Sequence, residues 1–133
     1  MKIQLIKKMS FLLFILALAG CTSSGVMNEK VTGSIEVESL PVNQVCMINN
    51  AFMGKDQIPV PVGNKVYYGC CEGCVDKLTN IEETRYATDP LTGQKVDKAD
   101  AFVVLKPGGS TVLYFASKEH YLTFSNKQTK NNI

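Results

Sequence analysis

The chain of 133 residues carries 14 basic and 12 acidic side chains, one histidine and no tryptophan. A net charge of +2 supplies none of the basic field that nucleic acid demands. The length suffices for one domain or two very small ones, and the absence of tryptophan together with many short segments argues against one large core.

At the N-terminus, Lys2, Lys7 and Lys8 precede an apolar run from Phe11 to Ala19. That run is shorter than the roughly 20 residues a transmembrane helix needs, and residues 1–20 are expected to be a signal peptide. The sequence Leu18-Ala19-Gly20-Cys21 resembles the bacterial lipobox, in which the cysteine is acylated and becomes the first mature residue. The resemblance implies a lipoprotein held on a bilayer outside the cytoplasm, in the cell envelope, since several acyl chains (palmitate among them) bind far more firmly than one. Thr22 in place of an aspartate implies the outer membrane, on its periplasmic face, if the source is Gram-negative. The alternative is an ordinary secretory signal with a free Cys21. Without residues 1–20 the chain keeps 11 basic and 12 acidic residues, a net charge of about −1, which again gives nucleic acid no purchase. Residues 21–42 are polar and lack sustained periodicity, and they are expected to form a flexible tether. Within them Ile35 and Val37 alternate with charged residues, as a short edge strand would.

Residues 43–88 hold the remaining four cysteines. Cys46 lies in Val45-Cys46-Met47, ahead of Ile58-Pro59-Val60-Pro61-Val62, whose two prolines confine it to a sheet edge or an extended connection. Gly63-Asn64 marks a turn, and Lys65 to Gly69 has the β-branched and aromatic content of a strand. It runs into Cys70-Cys71-Glu72-Gly73-Cys74, after which Glu72 to Thr79 is expected to be a short helix with Val75 and Leu78 on one side. An even number of cysteines in an exported protein first suggests two disulfides. Here the neighbours Cys70 and Cys71 cannot be bridged without strain, and Cys71 to Cys74 closes only a tiny loop. A metal knuckle, with Cys46 brought to the other thiols by a hairpin, fits the spacing better.

Residues 89–126 repeat the pattern at an offset of 46. Val66 matches Val112, Tyr68 matches Tyr114 and Leu78 matches Phe124. In that gapless register Cys46 falls on Thr92, Cys70 on Ala116, Cys71 on Ser117 and Cys74 on His120, so the second copy keeps the frame without the thiols. Ala101–Leu105 and Thr111–Phe115 are its expected strands, with Lys106–Ser110 as the turn. Ser117 is placed to cap a closing helix from Lys118 to Ser125. Two such units stacked together are expected to hide Phe102, Val104, Tyr114, Phe115, Leu122 and Phe124. Residues 127–133 form a polar tail, frayed at the end of the chain. The fold class expected is α+β, built from two tandem β-hairpin-plus-helix units.

On these residues the chain resembles the TRASH and YHS families, related treble-clef-like metal-binding domains. Cys46, Cys70 and Cys74 follow the TRASH order of one cysteine, a gap, a second cysteine, three residues and a third. The gap of 23 residues slightly exceeds the usual range. The YHS-like part is Val66-Tyr67-Tyr68-Gly69-Cys70, and again Asp89-Pro90-Leu91-Thr92-Gly93 with Tyr114-Phe115-Ala116-Ser117. The resemblance implies the handling of heavy metals: trafficking, resistance or sensing, with metal-handling proteins of the envelope as partners.

The thiolate is the ligand form of cysteine, and a helix N-terminus such as the one holding Cys74 favours it. Thiolates from Cys46, Cys70 and Cys74 suit soft or borderline ions, which points to zinc or copper(I). A structural zinc wants four ligands, with Cys71 the nearest candidate for the fourth; copper(I) accepts three, with Met47 or Met53 as further weak donors. His120 is another weak candidate, although an uncommitted packing or surface role is the plainer reading of it. The methionines have core filling as their plain role. One histidine and no paired carboxylates near the thiols make an enzyme unexpected. The alternatives are a thiol-disulfide redox protein using the Cys71-Glu72-Gly73-Cys74 pair and a structural surface lipoprotein whose cysteines are oxidised.

Overall fold

The computed structural model describes residues 36–131. The signal peptide, the acylation of Cys21 and most of the tether therefore lie outside the described residues. Within them the chain is α+β, with four antiparallel two-stranded hairpins and two helices. None of the described helices is long and apolar enough to cross a membrane.

A 3-10 turn at Val42–Gln44 leads into the hairpin of β1 (Val45–Cys46) and β2 (Ala51–Phe52). The turn between them needs a left-handed residue, and Asn50 takes it at φ 50°, a region asparagine tolerates better than most side chains. The second hairpin pairs β3 (Ile58–Val62) with β4 (Lys65–Gly69) and opposes Pro59 to Tyr68 and Pro61 to Val66. A two-stranded ribbon consists only of edges, so the missing proline N–H groups break no second ladder. Helix α1 (Glu72–Asn80) follows directly, and its buried side holds Cys74 and Leu78.

The second half begins with a 3-10 turn at Glu82–Arg85 and a hairpin of β5 (Tyr86–Thr88) with β6 (Lys95–Asp97). A further hairpin pairs β7 (Phe102–Leu105) with β8 (Val112–Phe115), and helix α2 (Lys118–Asn131) closes the chain. The two helices start 46 residues apart, at Glu72 and Lys118. As expected, Ser117 accepts at its hydroxyl from the His120 backbone N–H, at 3.3 Å. The helix continues to Asn131, through the described residues of the segment assigned to the polar tail, where Lys127, Gln128 and Lys130 are good helix formers.

Two apolar clusters carry the packing. One gathers Val45 from the first half with Val96, Val103, Val112 and Tyr114 from the second. The other holds Met47, Val60, Tyr67 and Leu78 under α1. Val42 packs against both clusters, and Leu40 donates its N–H to Val103 O at 2.8 Å. The last residues of the tether segment are thus attached to the fold. The first hairpin also reaches the fourth: Phe52 N–H donates to Ser110 O and Val112 N–H to Asn50 O, both at 2.8 Å. Phe115 and Val103 are fully enclosed, whereas Leu122 is exposed. Helix α2 meets the sheet through Tyr121 and Phe124, whose rings lie 5.5 and 5.4 Å from that of Phe115, and this turns Leu122 outward.

Gly69 and Phe115 occupy matching places ahead of the two helices, and they set different spacings. A methyl group on Gly69 would fall 2.9 Å from Cys74 Cβ and 3.2 Å from the Val75 nitrogen. Helix α1 therefore lies tight on the end of β4, which brings Cys74 to the other thiols. Gly69→Ala is expected to cost about 1–3 kcal/mol by overpacking, measured as a lowered urea midpoint with unchanged slope; wild-type stability in the variant would show that the close approach is not required.

Candidate metal centre

Three structural elements meet at the sulfurs. Cys46 ends β1, Cys70 follows β4, and Cys74 sits in the first turn of α1. Their Sγ atoms all lie within 4.8 Å of one another, with 3.9 Å between Cys46 and Cys74 and 3.6 Å between Cys70 and Cys74. A metal–sulfur bond of about 2.3 Å sets sulfurs about 3.8 Å apart in a tetrahedron and about 4.0 Å apart in a trigonal plane. The three thiols could therefore hold a metal ion with little movement. Cys46 and Cys74 are buried and Cys70 is half-buried, so the cluster opens to solvent on one side.

Cys71 is exposed and stands at the N-cap position of α1 without a side-chain capping hydrogen bond. Its Sγ lies 3.2 Å from Cys74 Sγ, yet it falls outside the group of mutually close donors. All four of these cysteines are free thiols. Of the weaker candidates, Met47 packs its side chain among Val60, Tyr67 and Leu78, and Met53 is exposed. His120 is engaged elsewhere, with Asp89.

The protonation pattern follows from burial and from hydrogen bonds among the sulfurs. Burial pushes the Cys46 thiol up, but hydrogen bonds from the Asn49 backbone, from the Cys70 thiol and backbone and from the Ile48 backbone more than offset it and bring the group below its ordinary value. Burial and the neighbouring Cys71, Cys70 and Cys46 sulfurs push Cys74 up to about 12. Cys70 is raised, chiefly by its hydrogen bond with Cys46. Cys71 is lowered, chiefly by its hydrogen bond with Cys74.

Lys98 is a residue that cysteine-based reasoning passes over. It is buried, 5% exposed, and donates to Met47 O at 2.6 Å and to Thr84 O at 3.0 Å. Burial brings its ammonium down to about 8, against the opposing pull of Cys46. The only signal for it in the sequence is its place just after β6, which does not distinguish it from a surface lysine.

The second half has a polar clasp at the matching place. Asp89, fully buried, accepts from the backbone N–H of Leu91 at 2.8 Å, Thr92 at 3.3 Å and Ala116 at 2.8 Å. Its carboxylate also lies 2.6 Å from His120 Nδ1. Burial opposes the charge of Asp89, but these hydrogen bonds hold its carboxyl below the usual range. The partners of Asp89 match those of Cys46 one for one: Leu91 for Ile48, Thr92 for Asn49, Ala116 for Cys70 and His120 for Cys74. Asp89, and not Thr92, thus stands where Cys46 stands. The gapless offset of 46 holds from the second strand through the helix, but it breaks at the first turn. The second half has three more residues there, one ahead of β7 and two in the longer β7–β8 turn.

A scan against protein-family models finds no match, and searches of the curated proteins and of the solved structures find none either.

Because Cys70 and Cys74 hold their protons above the usual thiol range, loading a metal near neutral pH must displace at least two protons. Soft-metal affinity is therefore expected to rise by about 100-fold or more for each unit of pH between 6 and 7, read by chelator competition. A slope below tenfold would mean that the thiols do not coordinate together.

Proposed function

We propose that this chain is a lipid-anchored protein of the cell envelope that binds a soft or borderline metal ion, zinc or copper(I), through Cys46, Cys70 and Cys74, as cargo in metal trafficking, resistance or sensing. The observation that carries the reading is the convergence of three sulfurs from separate elements at metal-bridging distances. The lipobox-like Leu18-Ala19-Gly20-Cys21 supports the anchor and the extracytoplasmic setting.

In this reading the two halves are copies of one treble-clef-like unit of the TRASH and YHS kind: a turn bearing the first donor, a hairpin, and a helix bearing the last. What supports it is the matched set of hydrogen bonds around Cys46 and Asp89. The Asp89–His120 pair closes the second copy without an ion, and the first copy has apolar packing of its own. The fold thus has supports besides the metal, and the open side of the cluster gives an ion a way in and out. Both favour cargo over scaffold. The reading is of a binder and not of an enzyme, since the only histidine is committed to Asp89 and away from the thiols.

One observation favours a second reading. Cys71 and Cys74 form a C-x-x-C pair at a helix start with sulfurs 3.2 Å apart, the arrangement used in thiol-disulfide exchange.

The test takes the full chain, purified in detergent under mild reductant, and measures bound metal by elemental analysis beside free thiols. The expected result is one soft metal per chain, with thiols shielded from alkylation until a chelator is added. Cys46→Ser or Cys74→Ser should weaken binding by about 100-fold or more, and chelation should leave the far-ultraviolet circular dichroism in place. A metal-free protein that cycles between dithiol and disulfide at a defined potential would support the second reading instead. Collapse of the fold on chelation would make the metal scaffold, not cargo.

A further inference from the structure

The three mutually close sulfurs leave one corner of a tetrahedral site without a thiolate. Metal-binding turns commonly supply two ligands separated by two or more residues. Cys46 opens such a turn, and the residue three positions on is Asn49. Its side chain donates an N–H to Cys70 Sγ at 3.5 Å. Asn49 therefore touches the most accessible of the three sulfurs, and as an exposed residue it stands on the open side of the cluster. The amide nitrogen that donates this hydrogen bond has no lone pair for a metal, so it steadies charge on the Cys70 sulfur without adding a ligand.

Cys71 does not make up the missing thiolate. Its sulfur lies 3.2 Å from Cys74 Sγ, closer than the roughly 3.8 Å separating two sulfurs on one tetrahedral metal. It is also outside the group in which every donor is near every other. That contact is a hydrogen bond from the rim to a buried thiol.

We infer that Asn49 holds the corner of a fourth thiolate and thereby makes this a three-sulfur site that prefers a monovalent soft cation, copper(I), to zinc. Three thiolates satisfy copper(I), while zinc in thiol-rich sites seeks a fourth donor. The inference rests on the metal-binding reading above and names the ion class that the same sulfurs select.

The test uses the full chain in detergent, loaded anaerobically with copper(I) or zinc against chelators of known affinity, and with cobalt(II) as an optical probe. The intensity of the sulfur-to-cobalt charge-transfer band counts thiolates. Wild type should give a three-thiolate intensity, Asn49→Ala should leave that count unchanged, and Asn49→Cys should raise it by about one third while tightening zinc at least about tenfold and copper(I) by less than about threefold. Cys71→Ser should leave the wild-type count unchanged, an arm that does not depend on how the turn tolerates substitution. A four-thiolate signal in wild type that falls to three in Cys71→Ser would overturn the inference while leaving metal binding intact. An Asn49→Cys protein that folds without gaining a thiolate, or a wild type that prefers zinc, would overturn it equally. A wild type that binds none of the three ions fails at the earlier step, and the metal-binding reading falls with it.

Discussion

A single buried acceptor at the end of the first strand organises each half of this chain. In the second half it is the carboxylate of Asp89, which collects three backbone N–H groups and the imidazole of His120. In the first half it is the sulfur of Cys46, facing the corresponding amides and the thiol of Cys74. Both groups tie the first turn to the start of the helix across the hairpin between them. The backbone N–H groups that point inward at these turns would otherwise be buried without partners, at about 1–3 kcal/mol each.

The two acceptors differ in what they need. An ionised carboxylate with an imidazole and three amides is satisfied as it stands, and hydrogen bonds to a charged group are the stronger kind. A neutral thiol is a weak acceptor. The first half therefore has the same frame around a group whose interactions would strengthen if it became a thiolate bound to a cation. Lys98 lies at the junction: its ammonium donates to the carbonyl of Met47, next to Cys46, and to that of Thr84, ahead of β5. A buried positive charge there would offset part of the negative charge that thiolates at the cluster would carry.

Much of this was legible in the residues. Strand content, the Gly63-Asn64 turn and the start of α1 follow from local chemistry, and the offset of 46 places the second hairpin and its helix. The convergence of Cys46 on Cys70 and Cys74 follows from spacing once a hairpin is assumed. The register at the first turn was not legible, because the three extra residues of the second half lie in connections where length is cheap. The match of Cys46 to Asp89 is also chemically silent in a search for thiols, since what is kept is the role of acceptor and not the element. Asn49 is visible three residues after Cys46, yet an asparagine in a turn has an ordinary explanation. Leu122 was expected inside because two stacked units would hide it, and the stacking of Tyr121 and Phe124 on Phe115 rotates it outward.

The claim on which the account turns is that the sulfurs of Cys46, Cys70 and Cys74 bind one cation together. X-ray absorption at the metal edge of the copper(I)-loaded chain tests it most directly. The account predicts a first shell made of sulfur alone, three atoms at about 2.3 Å, that loses a sulfur in Cys46→Ser. A shell dominated by nitrogen or oxygen, or one unchanged by removal of Cys46, would contradict it.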